Sequence, residues 1–211
     1  MKIVETFESI QGEGRHAGLP MTFIRFSGCN LRCKYCDTDY AWEGGTQKSL
    51  DDITRLCLSM PWKHIQLTGG EPLLQPELPE LCARLIESRK MVLLETNGTM
   101  DISRVPKHVI KIMDIKTPGS GYESMNDPLN IYRLDFKDDV KFVITSRDDF
   151  DWACERSTAL KLFNRGGVLF SAASPLVKPS DLAQWIIRAG LPVRFNPQVH
   201  RQIWPDQPRG K

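Results

Sequence analysis

The sequence has little that would tie it to a membrane or to nucleic acid. No apolar run approaches the roughly 18 to 20 residues that a bilayer span needs. The opening Met1-Lys2-Ile3-Val4-Glu5-Thr6 has neither the basic start nor the apolar centre of a signal peptide. Twenty-eight Lys and Arg against 26 Asp and Glu leave a net charge of +2 without a basic block, too mild a balance to argue for nucleic acid. The expected compartment is therefore the cytoplasm. Low-complexity segments, linkers and internal repeats are also lacking, so one domain is expected over residues 1–211. His16, His64 and His108 show no metal-ligand spacing, and His200 either lines a site or sits at the surface. No Ser or Cys nucleophile has an evident base partner.

The most telling lack is a fourth cysteine beside Cys29, Cys33 and Cys36, which form a C-x3-C-x2-C run. Iron–sulfur cubes are normally held by four cysteines. A cube held by three leaves one iron able to bind another molecule. Structural zinc uses four ligands, commonly as two pairs, and no second pair exists here. The spacing alone leaves an iron–sulfur site, a zinc site and three unremarkable cysteines open. Cys57 and Cys82 fall on the apolar faces of helical stretches and Cys154 follows Trp152 in another, so all three read as small core hydrophobes. Disulfides are not expected in a reducing cytosol.

Short apolar runs at 21–26, 64–68, 91–95, 109–115, 140–145, 168–171 and 193–195 are rich in β-branched residues and bounded by Gly, Pro or Asn, as strands are. Between them lie helical patterns at 51–60, 77–89, 148–164 and 180–189, the first with Ser49 as N-cap and the last stopped by Gly190. Such alternation predicts a parallel sheet with helical crossovers. A complete eight-fold barrel needs about 250 residues. The expected fold is therefore an incomplete TIM-like α/β barrel of about six parallel strands with outer helices; a doubly wound open sheet is the alternative. In both, the site lies at the carboxyl ends of the strands.

Polar motifs fall at those ends. Strand 64–68 runs into Gly69-Gly70-Glu71-Pro72, either an ordinary tight turn or a backbone site for a zwitterionic group. Strand 91–95 ends in Glu95-Thr96-Asn97-Gly98-Thr99. Asp114 and Lys116 alternate with apolar residues at the end of a buried strand, so they pair with each other or with a ligand. Ser9-Ile10-Gln11-Gly12-Glu13-Gly14, before the strand bearing Arg25, is a solvated hairpin loop or a site for a polar heterocycle with a carboxylate, which Arg grips bidentately. Asp37-Thr38 reads as a turn, or as hard oxygen ligands for Mg2+.

Taken together and in this order, the motifs resemble those of the radical S-adenosylmethionine (SAM) enzymes and, over essentially the whole length, of the 7-carboxy-7-deazaguanine synthases. The resemblance rests on Ser9–Gly14, Phe23-Ile24-Arg25, the cysteine run, Cys36-Asp37-Thr38, Leu67 to Leu74, Glu95 to Thr99, Asp114 to Lys116 with Pro118-Gly119-Ser120-Gly121, and Asn196-Pro197-Gln198-Val199-His200. It implies that Cys29, Cys33 and Cys36 bind a [4Fe–4S] cluster whose open iron is chelated by SAM. It further implies a deoxyadenosyl radical acting on 6-carboxy-5,6,7,8-tetrahydropterin, with ring contraction and loss of ammonia, SAM being regenerated. Thr38 matches the Mg2+ ligand. Ile10, Gln11, Gly12, Glu13, Arg25 and Thr68 match substrate contacts. Gly70, Asp114, Ile115 and Lys116, with Ser171, Ala172, Ala173 and Ser174 as a looser match, correspond to the SAM-binding stretches. A reductase or flavodoxin-type electron donor and a homodimer are implied, and a carboxylate from the tail Trp204–Lys211 is a further candidate substrate contact. Two other readings remain at this point: an activase that places a radical on a partner protein, and a zinc- or cluster-bearing binding module without catalysis.

Overall fold

The computed structural model describes residues 1–207, 209 and 210. One sheet of nine strands, numbered in chain order, begins with β3 (Thr46–Gln47) and β1 (Lys2–Ile10) and continues through a parallel set. Strands β2 (Pro20–Phe26), β4 (His64–Gly69), β5 (Met91–Thr96), β6 (Ile110–Asp114), β7 (Asp139–Ile144) and β8 (Gly167–Ala172) are parallel neighbours in that order. The two-residue β9 (Arg194–Phe195) extends the parallel set. The sheet order ends at β3 and β9 without closing, so the barrel is open, as its length requires.

Helices α1 (Leu50–Ser59), α2 (Leu78–Glu87), α4 (Arg147–Ala159) and α5 (Pro179–Ala189) answer to the four predicted helical patterns. Ser49 caps α1 by accepting from the Asp52 amide at 3.1 Å, and Gly190 ends α5 in the left-handed region at φ 62°. The pattern over 148–164 is two elements: α4 stops at Ala159, Lys161 turns left-handed, and Leu162–Asn164 forms a separate 3-10 turn. Two short helices, α3 (Asn130–Arg133) and α6 (Val199–Ile203), had no periodic signal because neither spans two turns.

The helices cover one face of the sheet, where Phe142, Phe150 and Phe170 are fully buried and meet edge to face at 5.4 and 5.7 Å. Each such ring contributes about 1.5 to 3 kcal/mol by leaving water. The other face turns inward. Its lower part is a small apolar plug of Met21, Phe23, Leu93, Ile110 and Ile112, and the polar site lies above it.

β1 (Lys2–Ile10), with β3 (Thr46–Gln47), escaped the sequence reading. β1 pairs antiparallel with β2, placing Glu5 opposite Arg25 and Phe7 opposite Phe23. Its apolar alternation is broken by Glu5 and Ser9, which share the inward face with Phe7. The β1–β2 loop then crosses to the far strands. Gly14 donates to the Asn196 side chain at 2.6 Å, Val199 donates to the Gly12 carbonyl at 3.0 Å, and Arg15 pairs with Asp139 at 2.5 Å. Polar side chains thus bridge the gap that the missing strands leave.

Candidate active site

The cysteine loop follows β2 and is packed onto two other strand ends. A Cβ placed on Gly70 would overlap the Gly28 carbonyl and stand 2.8 Å from the Cys29 Cβ, so only glycine lets the two turns meet. The Glu71 amide donates to the Gly28 carbonyl at 2.8 Å. The buried Glu71 carboxylate then accepts from Leu73 N (2.9 Å), Thr96 Oγ1 (3.0 Å) and Asn97 N (2.7 Å). Burial raises its pKa against those donors. Asn97 reaches Asn30 at 2.9 Å and lies 3.9 Å from the Cys29 sulfur. The Gly-Gly turn is therefore a fixed support under the cysteines.

Cys29, Cys33 and Cys36 line one cavity together with Gly70, Asp114 and Lys116. Among the described residues, no three His, Cys, Asp or Glu side chains converge as ligands of a single ion; a cube instead spreads three cysteines over three corners. Burial holds the Cys33 and Cys36 thiols above the usual range, so binding iron would release their protons. Asp114 and Lys116 pair at 2.8 Å, yet Asp114 Oδ1 is buried without a partner. Burial pulls the Lys116 pKa down, but Asp114 and the nearby Cys33 together outweigh it and leave the ammonium above its usual value. An orphaned carboxylate oxygen beside a held cation and a glycine cradle is what a cationic, zwitterionic ligand such as SAM would complete.

The other end of the cavity is lined by Ile10, Gln11, Gly12, Glu13, Arg25 and Thr68. Gln11 is buried and donates to Gln66 at 2.8 Å. Thr68 donates to Glu95 at 2.8 Å. The loop is no solvated hairpin: Glu13 accepts from Lys141 (3.0 Å), Gln198 (2.9 Å) and Asn196 (3.1 Å). Burial pushes the Glu13 carboxyl up, and the Lys141 ammonium and the Gln198 amide together more than offset this, leaving it below its usual value. The Glu13 carboxylate thus serves to hold the loop to β7 and the C-terminal segment. Burial raises the neighbouring Glu95, which Lys141 only partly opposes.

Thr38 lies at the mouth and donates to Asp37 at 2.9 Å. Asp37 in turn accepts from Arg201 at 2.8 Å. Ser171, Ala172, Ala173 and Ser174 line the wall after β8. Ile115 does not line this cavity; its side chain is buried in the helix-side core and borders a second hollow with Met113 and Ile131. Alternation explains this, since Asp114 points inward and its neighbour must point out. The tail carboxylate on Lys211 lies outside the described residues. Glu5, Phe7 and Lys141 were missed, although Lys141 carries the same signal as Asp114, a charge inside an apolar strand.

Comparison with known proteins agrees with this geometry. Residues 23–169 match the Radical SAM superfamily, and the chain belongs to it. Over its whole length it is 38% identical to 7-carboxy-7-deazaguanine synthase of Koribacter versatilis (strain Ellin345), covering 100% of both chains. It is 37% identical to that of Chlorobaculum tepidum, covering 100% of this chain and 97% of the relative. QueE from Escherichia coli shares the fold with a TM-score of 0.77 at 23% identity, over 94% of each chain. The chain belongs to the 7-carboxy-7-deazaguanine synthases, and it is an enzyme that uses a [4Fe–4S] cluster and SAM.

Proposed function

We propose that this protein converts 6-carboxy-5,6,7,8-tetrahydropterin to 7-carboxy-7-deazaguanine with loss of ammonia, within queuosine and deazapurine biosynthesis. The observation that carries the reading is one cavity with three thiols at one end and Arg25, Gln11 and Thr68 at the other. When bound, the cluster and SAM would supply radical chemistry for hydrogen abstraction. The protein supplies placement. Cys29, Cys33 and Cys36 would hold the cluster; the Gly70 backbone, Asp114, Lys116 and the Ser171–Ser174 stretch would hold SAM. Arg25 would bind the substrate carboxylate, and Gln11 and Thr68 would bind the ring's polar edge. Thr38 would ligate Mg2+, which keeps several waters and needs few protein oxygens. The interior of the partial barrel would keep bulk water and side reactants from the radical.

A single domain carries all of these groups, and a flavodoxin-type or reductase donor would deliver the electron. No helix among the described residues is long and apolar enough to cross a membrane. The six free cysteines suit a reducing cytoplasm, and a homodimer is expected by size-exclusion chromatography with light scattering. The decisive test is anaerobic incubation of reconstituted protein with SAM, reductant, Mg2+ and the carboxypterin. Deazaguanine product is expected; SAM cleavage without it would refute the substrate.

A further inference from the structure

Arg25 is held from behind. Its side chain is 14% exposed, and its guanidinium carbon lies 5.7 Å from the ring centres of both Phe7 and Tyr40. Glu5, its cross-strand partner on β1, accepts from Arg25 Nε at 2.7 Å. The same Glu5 oxygen accepts from the Tyr40 hydroxyl at 3.0 Å. Among the described residues, the two terminal nitrogens of Arg25 make no hydrogen bond.

A guanidinium presents five N–H donors in a rigid fork. Glu5 takes the Nε donor and leaves the terminal pair for a ligand in the cavity that Arg25 lines. The cavity also contains a rival acceptor, Glu95, which lines it together with Arg25; burial raises the Glu95 pKa, and the Arg25 charge is near enough to oppose that rise. An arginine on a flexible stem would pair with that carboxylate and lose its fork. Glu5 prevents this, and Tyr40 fixes Glu5 in turn.

We propose that Glu5, held by Tyr40, is the positioning residue that aims Arg25 at the substrate carboxylate and so makes the site prefer a carboxylated ring over its uncharged counterpart. This rests on the carboxypterin reading above. It concerns a residue that touches no substrate and acts only through Arg25.

The test compares wild type, Glu5→Ala, Glu5→Gln and Tyr40→Phe as reconstituted holoenzymes. The readouts are KM and kcat with the carboxypterin, affinity for it and for its carboxamide, and reductive SAM cleavage without substrate. Glu5→Ala should raise KM about 10- to 100-fold, the range expected for losing one well-placed charged hydrogen bond. It should lose the preference for carboxylate over carboxamide while SAM cleavage persists. Glu5→Gln, which keeps an acceptor for Nε, should recover part of the affinity, and Tyr40→Phe should raise KM a few-fold. A wild-type carboxylate preference that survives in Glu5→Ala and Tyr40→Phe would overturn the role of Glu5 alone. Equal losses for carboxylate and carboxamide would do the same, since they would mark a merely structural role. A wild-type protein without that preference would overturn the substrate reading and this proposal with it.

Discussion

Replacing Lys141 with Met removes the cation that lets a carboxylate sit ionised inside the barrel. Lys141 and Glu13 meet at 3.0 Å, with side chains 14% and 12% exposed. Breaking a buried pair from one side costs about 3 to 5 kcal/mol. For a chain of this size each kcal/mol shifts Tm by about 2 to 4 °C, so a fall of roughly 6 to 20 °C is expected near neutral pH. The pH dependence follows from the directions. In the wild type, Glu13 lies below its usual pKa, so its contribution is present above the ordinary carboxylate range and is lost as pH falls through its folded value. Lys141 lies above its usual pKa, so its contribution is full below the ordinary lysine range and disappears only as pH rises through its folded value. The pair is therefore at full strength from about pH 5 to 10. Without Lys141, burial favours protonated Glu13, so the gap to wild type should narrow as pH falls toward 4. Thermal unfolding of apoprotein between pH 4 and 8, followed by circular dichroism, measures this. Adding Glu13→Gln to the Lys141→Met variant should restore most of the loss, because removing both partners of a buried pair is often close to neutral. A loss below about 1 kcal/mol that does not change with pH would show that the pair does not hold the loop.

Other outcomes are equally direct. Gly70→Ala should lose cluster and SAM binding together, because its Cβ would overlap the Gly28 carbonyl and no flexible side chain can yield; iron and sulfide analysis after reconstitution checks it. Asp149→Asn should cost about 1 to 3 kcal/mol, since its buried carboxylate accepts from Thr117 Oγ1 (2.9 Å), Gly119 N (2.9 Å) and both Thr145 donors. Chemical denaturation would read that loss, and SAM affinity should weaken because the loop beyond Lys116 loosens. Thr38→Ala should weaken the response of turnover to Mg2+, and an unchanged Mg2+ titration would remove Thr38 from the metal site.

The residues that were legible carry their signal locally. The cysteine spacing, the glycine pair after β4 and the charged end of β6 each state a chemical need within a few positions, and the parallel strands between amphipathic helices state the layer architecture. β1 was hidden because its inward face serves the site and so breaks its apolar alternation with Glu5 and Ser9. The motif groups Ile115 with Asp114 and Lys116, whereas strand alternation turns its side chain outward.

By itself, then, the sequence determined the family, through the cysteine spacing and the motifs that accompany it, and the strand ends on which those motifs stand, because these depend on neighbours along the chain. Tertiary structure alone decided what Glu13 does, joining it to Lys141 across 128 positions and to Gln198 across 185. It also decided that Glu5 stands behind Arg25, 20 positions away on an adjacent antiparallel strand. Such pairings follow from strand order and from a barrel left open at one side. Burial then compels each inward charge to find a partner, and only the folded chain shows which one it found.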